Sequence, residues 1–301
     1  MPTTPNGVVY VRTPDDRFID LPDWPYESRF VDVDGLRMAY VDEGPADGPM
    51  VLLLHGEPTW GYLYRRMIPP LVAAGLRTVV PDLDGFGRSD KPTEREAYTY
   101  AGHVAWVAAF VDQLGLTDIT LFGQDWGGLI GLRFAAEHPE LVDRIVIANT
   151  DLPDGRPMGD GFMAWQQASQ AMPFLDAGAV LQRATLARTL SDGEVEAYRA
   201  PFPGEEHCAG ARQFPLLVPS GPDDPAVPAN RAAWEVLERW ERPVLTLWAP
   251  DDVVLGRLQS KFLDRIPGTA GQPHRTFQPA GHFIQDDAGE ELAAAVVDWL
   301  A

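Results

Sequence analysis

Apolar and polar positions change rhythm twice along this chain. Arg29 to Val33 and Leu36 to Val41 flank Asp34-Gly35, a pair that readily takes the left-handed dihedrals of a two-residue hairpin turn, which predicts an antiparallel strand pair. After that, short continuous apolar runs recur at 51–54, 78–80, 119–122, 145–148 and 244–248. A strand that is apolar on both sides must be covered on both sides, as in a parallel sheet between two helical layers. Helical periodicity fills the gaps over 103–114 and 129–138, the second stopped by His138-Pro139. A last strand is expected at 275–277 and a last helix over 290–300, with Leu292, Val296 and Trp299 on one face. Strand and helix alternate throughout, which predicts a doubly wound α/β fold with a mostly parallel sheet flanked by helices.

The second break lies between Asp151 and Asn230, where helical patterns rich in Ala, Gln and aromatics run into the proline-rich stretch 219–228. The expected organisation is a core of residues 1–151 and 230–301 with a helical cap, 152–229, inserted after mid-sheet. Such an insertion can roof the carboxyl ends of the strands, where open α/β sheets bind ligands.

Composition changes this picture in three places. Net charge is -20 and the only lysines are Lys91 and Lys261, which argues against a nucleic-acid partner. The single cysteine, Cys208, cannot form an internal disulfide and has no metal-ligand set around it. No basic leader precedes an apolar stretch, and no run approaches the ~18 apolar residues of a membrane span, so a cytoplasmic protein without membrane association is expected.

The segment Leu121-Phe122-Gly123-Gln124-Asp125-Trp126-Gly127-Gly128 runs from strand into helix with glycines two residues either side of a central acid. That spacing is a nucleophile elbow, in which a sharp turn lifts the central side chain over a helix amino terminus. A serine there would need its proton removed, whereas the Asp125 carboxylate is already anionic. Attack by serine on an alkyl carbon would leave an ether; attack by aspartate gives an ester that water can cleave. His282, in Gln278-Pro279-Ala280-Gly281-His282-Phe283 after the last strand, is the expected general base for that water. A third acid should orient the imidazole. Asp252 is the first candidate, after the strand at 244–248, with adjacent Asp251 and the more distant Asp151 as alternatives. The loop His55-Gly56-Glu57-Pro58 should lie beside the elbow, so the backbone N–H groups of Glu57 and Trp126 can form an oxyanion hole.

Together Asp125, Trp126, Asp252, His282 and His55-Gly56-Glu57-Pro58 resemble the haloalkane dehalogenase family of the α/β-hydrolase fold, over nearly the whole chain. The resemblance is to the branch whose catalytic acid follows the seventh strand; the other branch needs a glutamate after the sixth, and Ala148-Asn149-Thr150-Asp151 offers none. It implies hydrolysis of haloalkanes to a primary alcohol, halide and a proton through a covalent alkyl-aspartate ester. It also implies halide binding by Trp126 and Trp165, pocket walls at Phe162, Phe214 and Pro215, and no metal or organic cofactor. Indole N–H is a donor without a competing lone pair, suited to a large, weakly hydrated anion.

Epoxide hydrolases share the aspartate elbow but need two cap tyrosines to protonate an alkoxide, and between Asp151 and Asn230 there is only Tyr198. Fluoroacetate dehalogenases hold a carboxylate with arginines beside the nucleophile, where this chain has Trp126 and Leu129. Asp82-Leu83-Asp84-Gly85 superficially matches a phosphatase Asp-x-Asp signature, and a receptor on the same fold would lack the intact acid, base and nucleophile set.

Overall fold

The computed structural model describes residues 1–301. Its strands are β1 (Tyr10–Val11), β2 (Arg29–Val33), β3 (Leu36–Glu43), β4 (Met50–Leu54), β5 (Arg77–Pro81), β6 (Lys91–Pro92), β7 (Ile119–Gln124), β8 (Val142–Ala148), β9 (Val244–Trp248) and β10 (Arg275–Thr276). Its α-helices are α1 (Ile68–Ala73), α2 (Tyr100–Leu114), α3 (Trp126–Glu137), α4 (Asp160–Ala171), α5 (Ala177–Ala184), α6 (Asp192–Arg199), α7 (Ala209–Leu217), α8 (Val227–Leu237), α9 (Gln259–Leu263) and α10 (Ile284–Leu300). No helix is long and apolar enough to cross a membrane.

Eight strands form one sheet in the order β10-β9-β8-β7-β4-β5-β3-β2. The hairpin β2–β3 turns on Asp34 and Gly35, both at positive φ, and β3 is antiparallel to β5 as well. Every other pairing in this sheet is parallel. The continuous apolar runs resolve into two faces by the two-residue period of a strand. Leu52, Leu54, Leu121, Ile145 and Ile147 enter one core, while Val51, Leu53, Phe122, Val146 and Ala148 enter the other. The α/β-hydrolase-type sheet expected from the sequence is thus present.

Three helices begin earlier than their periodicity suggests, α2 by one turn, at Tyr100 after the Thr99 cap. α3 starts at Trp126, within a glycine pair that reads as turn. α10 starts at Ile284, but Ala288 breaks the helical dihedrals (φ -139°), so the regular apolar stripe emerges only beyond the kink. α8 begins at Val227, inside the stretch expected as linker, because Pro228 falls in its first turn, where a missing N–H costs nothing.

Helices α4 to α7 lie between β8 and α8 in sequence, and three sets of contacts are among those that tie them to the rest. The amino-terminal arm is one. β1 pairs with β6, the Thr13 hydroxyl donates to Pro201 O at 2.7 Å, Arg17 Nε donates to Ala200 O, and Phe18 packs edge-on against Trp60. The second is a buried ion cluster. Arg65 Nη2 lies 2.6 Å from Glu194 of α6 and 2.5 Å from Asp286 of α10, and the Tyr198 hydroxyl donates to Asp286 at 2.6 Å. The third is Asp287, whose carboxylate accepts the N–H groups of Leu186 and Ala187, just past α5, and of Gly281.

Candidate active site

The elbow is built by close approach. At the end of β7 the chain turns through Asp125 with φ 51° and ψ -127°, a region that costs an ordinary residue of order 1–3 kcal/mol and persists only where the surroundings impose it. A Cβ on Gly123 would stand 2.6 Å from Gly127 O, and one on Gly127 would collide with Leu54 O. The glycines let α3 start directly against β4 and β7, with the Asp125 carboxylate over the helix amino terminus. The Thr150 hydroxyl donates to Asp125 O at 2.8 Å, and the Asp125 N–H donates to Asn149 O, which hold the strained turn.

His282 stands across from it on the turn after β10. Its Nε2 lies 3.5 Å from Asp125 Oδ2, and its Nδ1 lies 2.9 Å from Asp252 Oδ2. Asp252 ionised is an acceptor only, so Nδ1 carries a proton whether or not the ring is charged. Nε2 is the nitrogen that faces Asp125, a donor to it while the ring is protonated and a base once that proton is lost. Asp252 is fixed in turn by Asn149 Nδ2 at 2.9 Å and the Val254 N–H at 2.8 Å. Burial alone would raise its pKa; the His282 charge and these bonds outweigh that and hold it below the usual carboxylate range. Burial likewise pulls His282 down, but Asp252 and Asp125 together push it well above the ordinary histidine value. The two alternative acids sit elsewhere: Asp251 accepts from Gln278, and Asp151 is paired with Lys261 at 2.6 Å.

The loop after β4 lies beside the elbow because β4 and β7 are neighbours. The Glu57 N–H donates to Asp125 Oδ1 at 2.8 Å; no corresponding bond from the Trp126 N–H to that carboxylate is formed. His55 holds this loop. It is fully buried, accepts from the Leu83 N–H at Nε2 and faces Gly56 O through Nδ1, and burial pushes its pKa down to about 4, so it stays neutral.

These groups open into a cavity of about 300 Å³. Asp125, Trp126, Trp165, Phe162, Pro215 and His282 all line it. Phe214 does not. Helix α7 turns that ring behind the wall, 4.5 Å from the Trp126 ring centroid and 4.4 Å from that of His103, so it backs Trp126 instead of bounding the cavity. Five indole N–H groups donate within the protein, those of Trp60, Trp165, Trp234, Trp248 and Trp299; that of Trp126 is not among them. Trp165 Nε1 donates to Glu57 Oε2 at 3.3 Å. Asp82 is occupied by the N–H groups of Gly61 and Arg88, and Asp84 is buried, both away from the cavity.

Sequence reasoning missed Asn149 and Asp287. The first carries a weak signal, a polar residue closing an apolar strand. The second carries none, since its three partners are scattered over 100 residues of chain.

Residues 49–289 match the model of the alpha/beta hydrolase fold family. The chain is 51% identical over 299 residues to a haloalkane dehalogenase of Psychrobacter cryohalolentis, covering 96% of this chain and 97% of that one. It is 52% identical over 297 residues to haloalkane dehalogenase 1 of Mycobacterium bovis, covering 96% and 98%. Among solved structures, haloalkane dehalogenase DpaA of Paraglaciecola agarilytica superposes with a TM-score of 0.89 at 34% identity, over 95% of this chain and 97% of that one. DbeA of Bradyrhizobium elkani does so with 0.77 at 27%, over 91% and 97%.

Proposed function

The chain belongs to the haloalkane dehalogenases of the α/β-hydrolase fold, and from that premise we propose that Asp125 is the nucleophile that displaces halide from a small haloalkane. The carrying observation is the line of groups Asp125, His282 and Asp252, at 3.5 and 2.9 Å, opening on an apolar cavity. Epoxide opening finds no support: the relatives are dehalogenases, and the hydroxyl of Tyr198 is taken up by the buried Arg65 cluster.

In the first step Asp125 attacks the halogen-bearing carbon in line, the carbon–halogen bond breaks, and the indole N–H groups of Trp126 and Trp165 receive the halide. Water-poor surroundings leave the Asp125 carboxylate weakly solvated and reactive. Esterification then removes the charge on Asp125, which is one of the two charges holding the proton on His282. The imidazole loses affinity for its proton just when a base is needed, and Nε2 deprotonates a water that attacks the ester carbonyl. The backbone N–H groups of Glu57 and Trp126 hold the oxyanion until the alcohol leaves, and Asp252 balances the imidazolium. Residues 152–229 act as the cap and 1–151 with 230–301 as the core. Phe162 and Pro215 shape the cap side of the cavity; the substrate is a small apolar haloalkane.

The test is bromide release and acidification on incubation with 1-bromobutane or 1,2-dibromoethane, beside styrene oxide. Release by the parent and none by Asp125→Ala is expected; release that survives Asp125→Ala would remove the nucleophile assignment.

Asp287 gives a second prediction. It pins the cap loop at Leu186 and the histidine turn at Gly281 with one carboxylate, and Leu186, Ala184, Gly281 and His282 all line the cavity. Asp287→Ala is expected to raise KM severalfold and lower kcat less, with Asp287→Asn recovering part of the loss. Steady-state kinetics with 1-bromobutane decide it, and an unchanged KM would count the pin as dispensable.

A further inference from the structure

The reaction proposed above uses the backbone of Glu57 and leaves its side chain idle, yet that side chain is placed as part of the halide site. It is 4% exposed, it lines the cavity, its Oε2 takes the Trp165 indole N–H at 3.3 Å, and its Oε1 is buried without a partner. An indole has one N–H, so Trp165 cannot donate to Glu57 and to a halide at once.

The groups facing Glu57 come from three elements. Asp125 projects from the elbow, His282 from the turn after β10 with Asp252 behind it, and Trp165 from α4. Farther along the cavity wall are Asp151, neutralised by Lys261, and the exposed Arg183 and Asp251. A carboxylate at Glu57 would add a second anion beside Asp125 in a site that must receive a third, and it would hold the indole with a charge-assisted bond roughly twice as strong as a neutral one. A neutral carboxyl yields the indole readily and does not repel the halide.

We propose that Glu57 is a proton-linked competitor for the halide site: it holds the Trp165 indole while the site is empty, and halide takes that N–H only while Glu57 carries a proton. The inference rests on the reading of Trp165 as a halide donor. Burial, and then the Asp125 charge, push the Glu57 pKa well above the usual glutamate value, against the smaller opposing pull of Trp165. Linkage fixes the sign. Bound halide favours the protonated form, so halide affinity is full below the Glu57 pKa of the empty site and falls as pH rises through it. In turnover the same coupling helps the product anion leave when Glu57 gives up its proton.

The experiment is titration with sodium bromide, read by quenching of tryptophan fluorescence from pH 5.5 to 9.5. It uses the His282→Gln protein, which lacks the imidazole that also titrates in this range. With Glu57 present, the dissociation constant is expected to rise about tenfold per pH unit over part of the range, because one proton is linked to one halide; with Glu57→Gln added, it is expected to stay flat. A flat profile in both proteins, or the same slope in both, overturns the proposal, the second by assigning the titration to Asp125. Should Glu57→Gln not fold, Asp125→Ala in the same background replaces it: a surviving slope then belongs to Glu57, and a lost one overturns the proposal. Trp165→Phe separates the premises. If it binds bromide as tightly as its parent, the halide-donor reading of Trp165 fails first; if it weakens bromide binding while the pH profiles are flat, only the role of Glu57 falls.

Discussion

His282→Gln is expected to release one bromide per chain and then almost stop, with steady-state turnover lowered by roughly 10²–10⁴-fold, the usual contribution of a positioned base. The geometry separates the two halves of the reaction. A carboxylate nucleophile needs no base to attack, and the Glu57 N–H at 2.8 Å holds the Asp125 carboxylate in place. Hydrolysis of the resulting ester does need one, because His282 Nε2 is the ring nitrogen left free once Nδ1 faces Asp252 at 2.9 Å. Glutamine keeps a polar group of similar reach without the basic lone pair. The trapped ester should appear by mass spectrometry as an alkyl adduct on the peptide carrying Asp125. Absence of the adduct together with absence of the burst would move the role of His282 to the first step, and ordinary turnover would remove it from the mechanism.

Arg65→Ala should be the most destabilising single replacement among those considered, by about 3–5 kcal/mol, the cost of leaving buried carboxylates without their partner. Its guanidinium is fully buried and reaches both Glu194 and Asp286, while its Cζ lies 4.3 Å from the Tyr62 ring centroid. Removing it strands two carboxylates, although Arg188, 2.7 Å from Glu194 and 3.5 Å from Asp286, limits the loss. Thermal and denaturant unfolding of the purified variant measure the effect. A midpoint unchanged within a degree or two would show that the cluster contributes nothing net. Adding Asp286→Asn and Glu194→Gln to Arg65→Ala should recover part of the loss, since neutral amides tolerate the missing cation better than stranded carboxylates do.

Much of the catalytic end of the sheet could be read in advance because local pattern determines it. The apolar runs at 51–54, 119–122 and 145–148 give β4, β7 and β8, and the sharp strand-to-helix turn follows from Gly123 and Gly127, which have no Cβ to collide. Asp125, His282 and Asp252 then fall at strand ends, where chain order alone brings them together. What escaped reading depends on rotation or on distance. Phe214 and Pro215 are adjacent, yet only Pro215 meets the cavity, because one step along α7 turns a side chain by about 100°. The Arg65 cluster joins positions 129 and 221 residues apart, and no window on the sequence spans them. The amino-terminal arm has no periodicity, since it is stitched down by single bonds such as Thr13 to Pro201 O.

The triple attachment of the inserted helices, by the arm, by Arg65 and by Asp287, bears on the clock of the reaction. Lid opening about a free hinge runs on microseconds to milliseconds and often sets turnover. An insertion fastened to the sheet and its helices at residues 186–187, 194 and 200–201 is not free to swing as one lid. Traffic through this enzyme is therefore expected to depend on rotamer changes of the exposed Leu186 and Val253 at the mouth, which occur in picoseconds to nanoseconds, so that the chemical steps and the departure of halide set the pace.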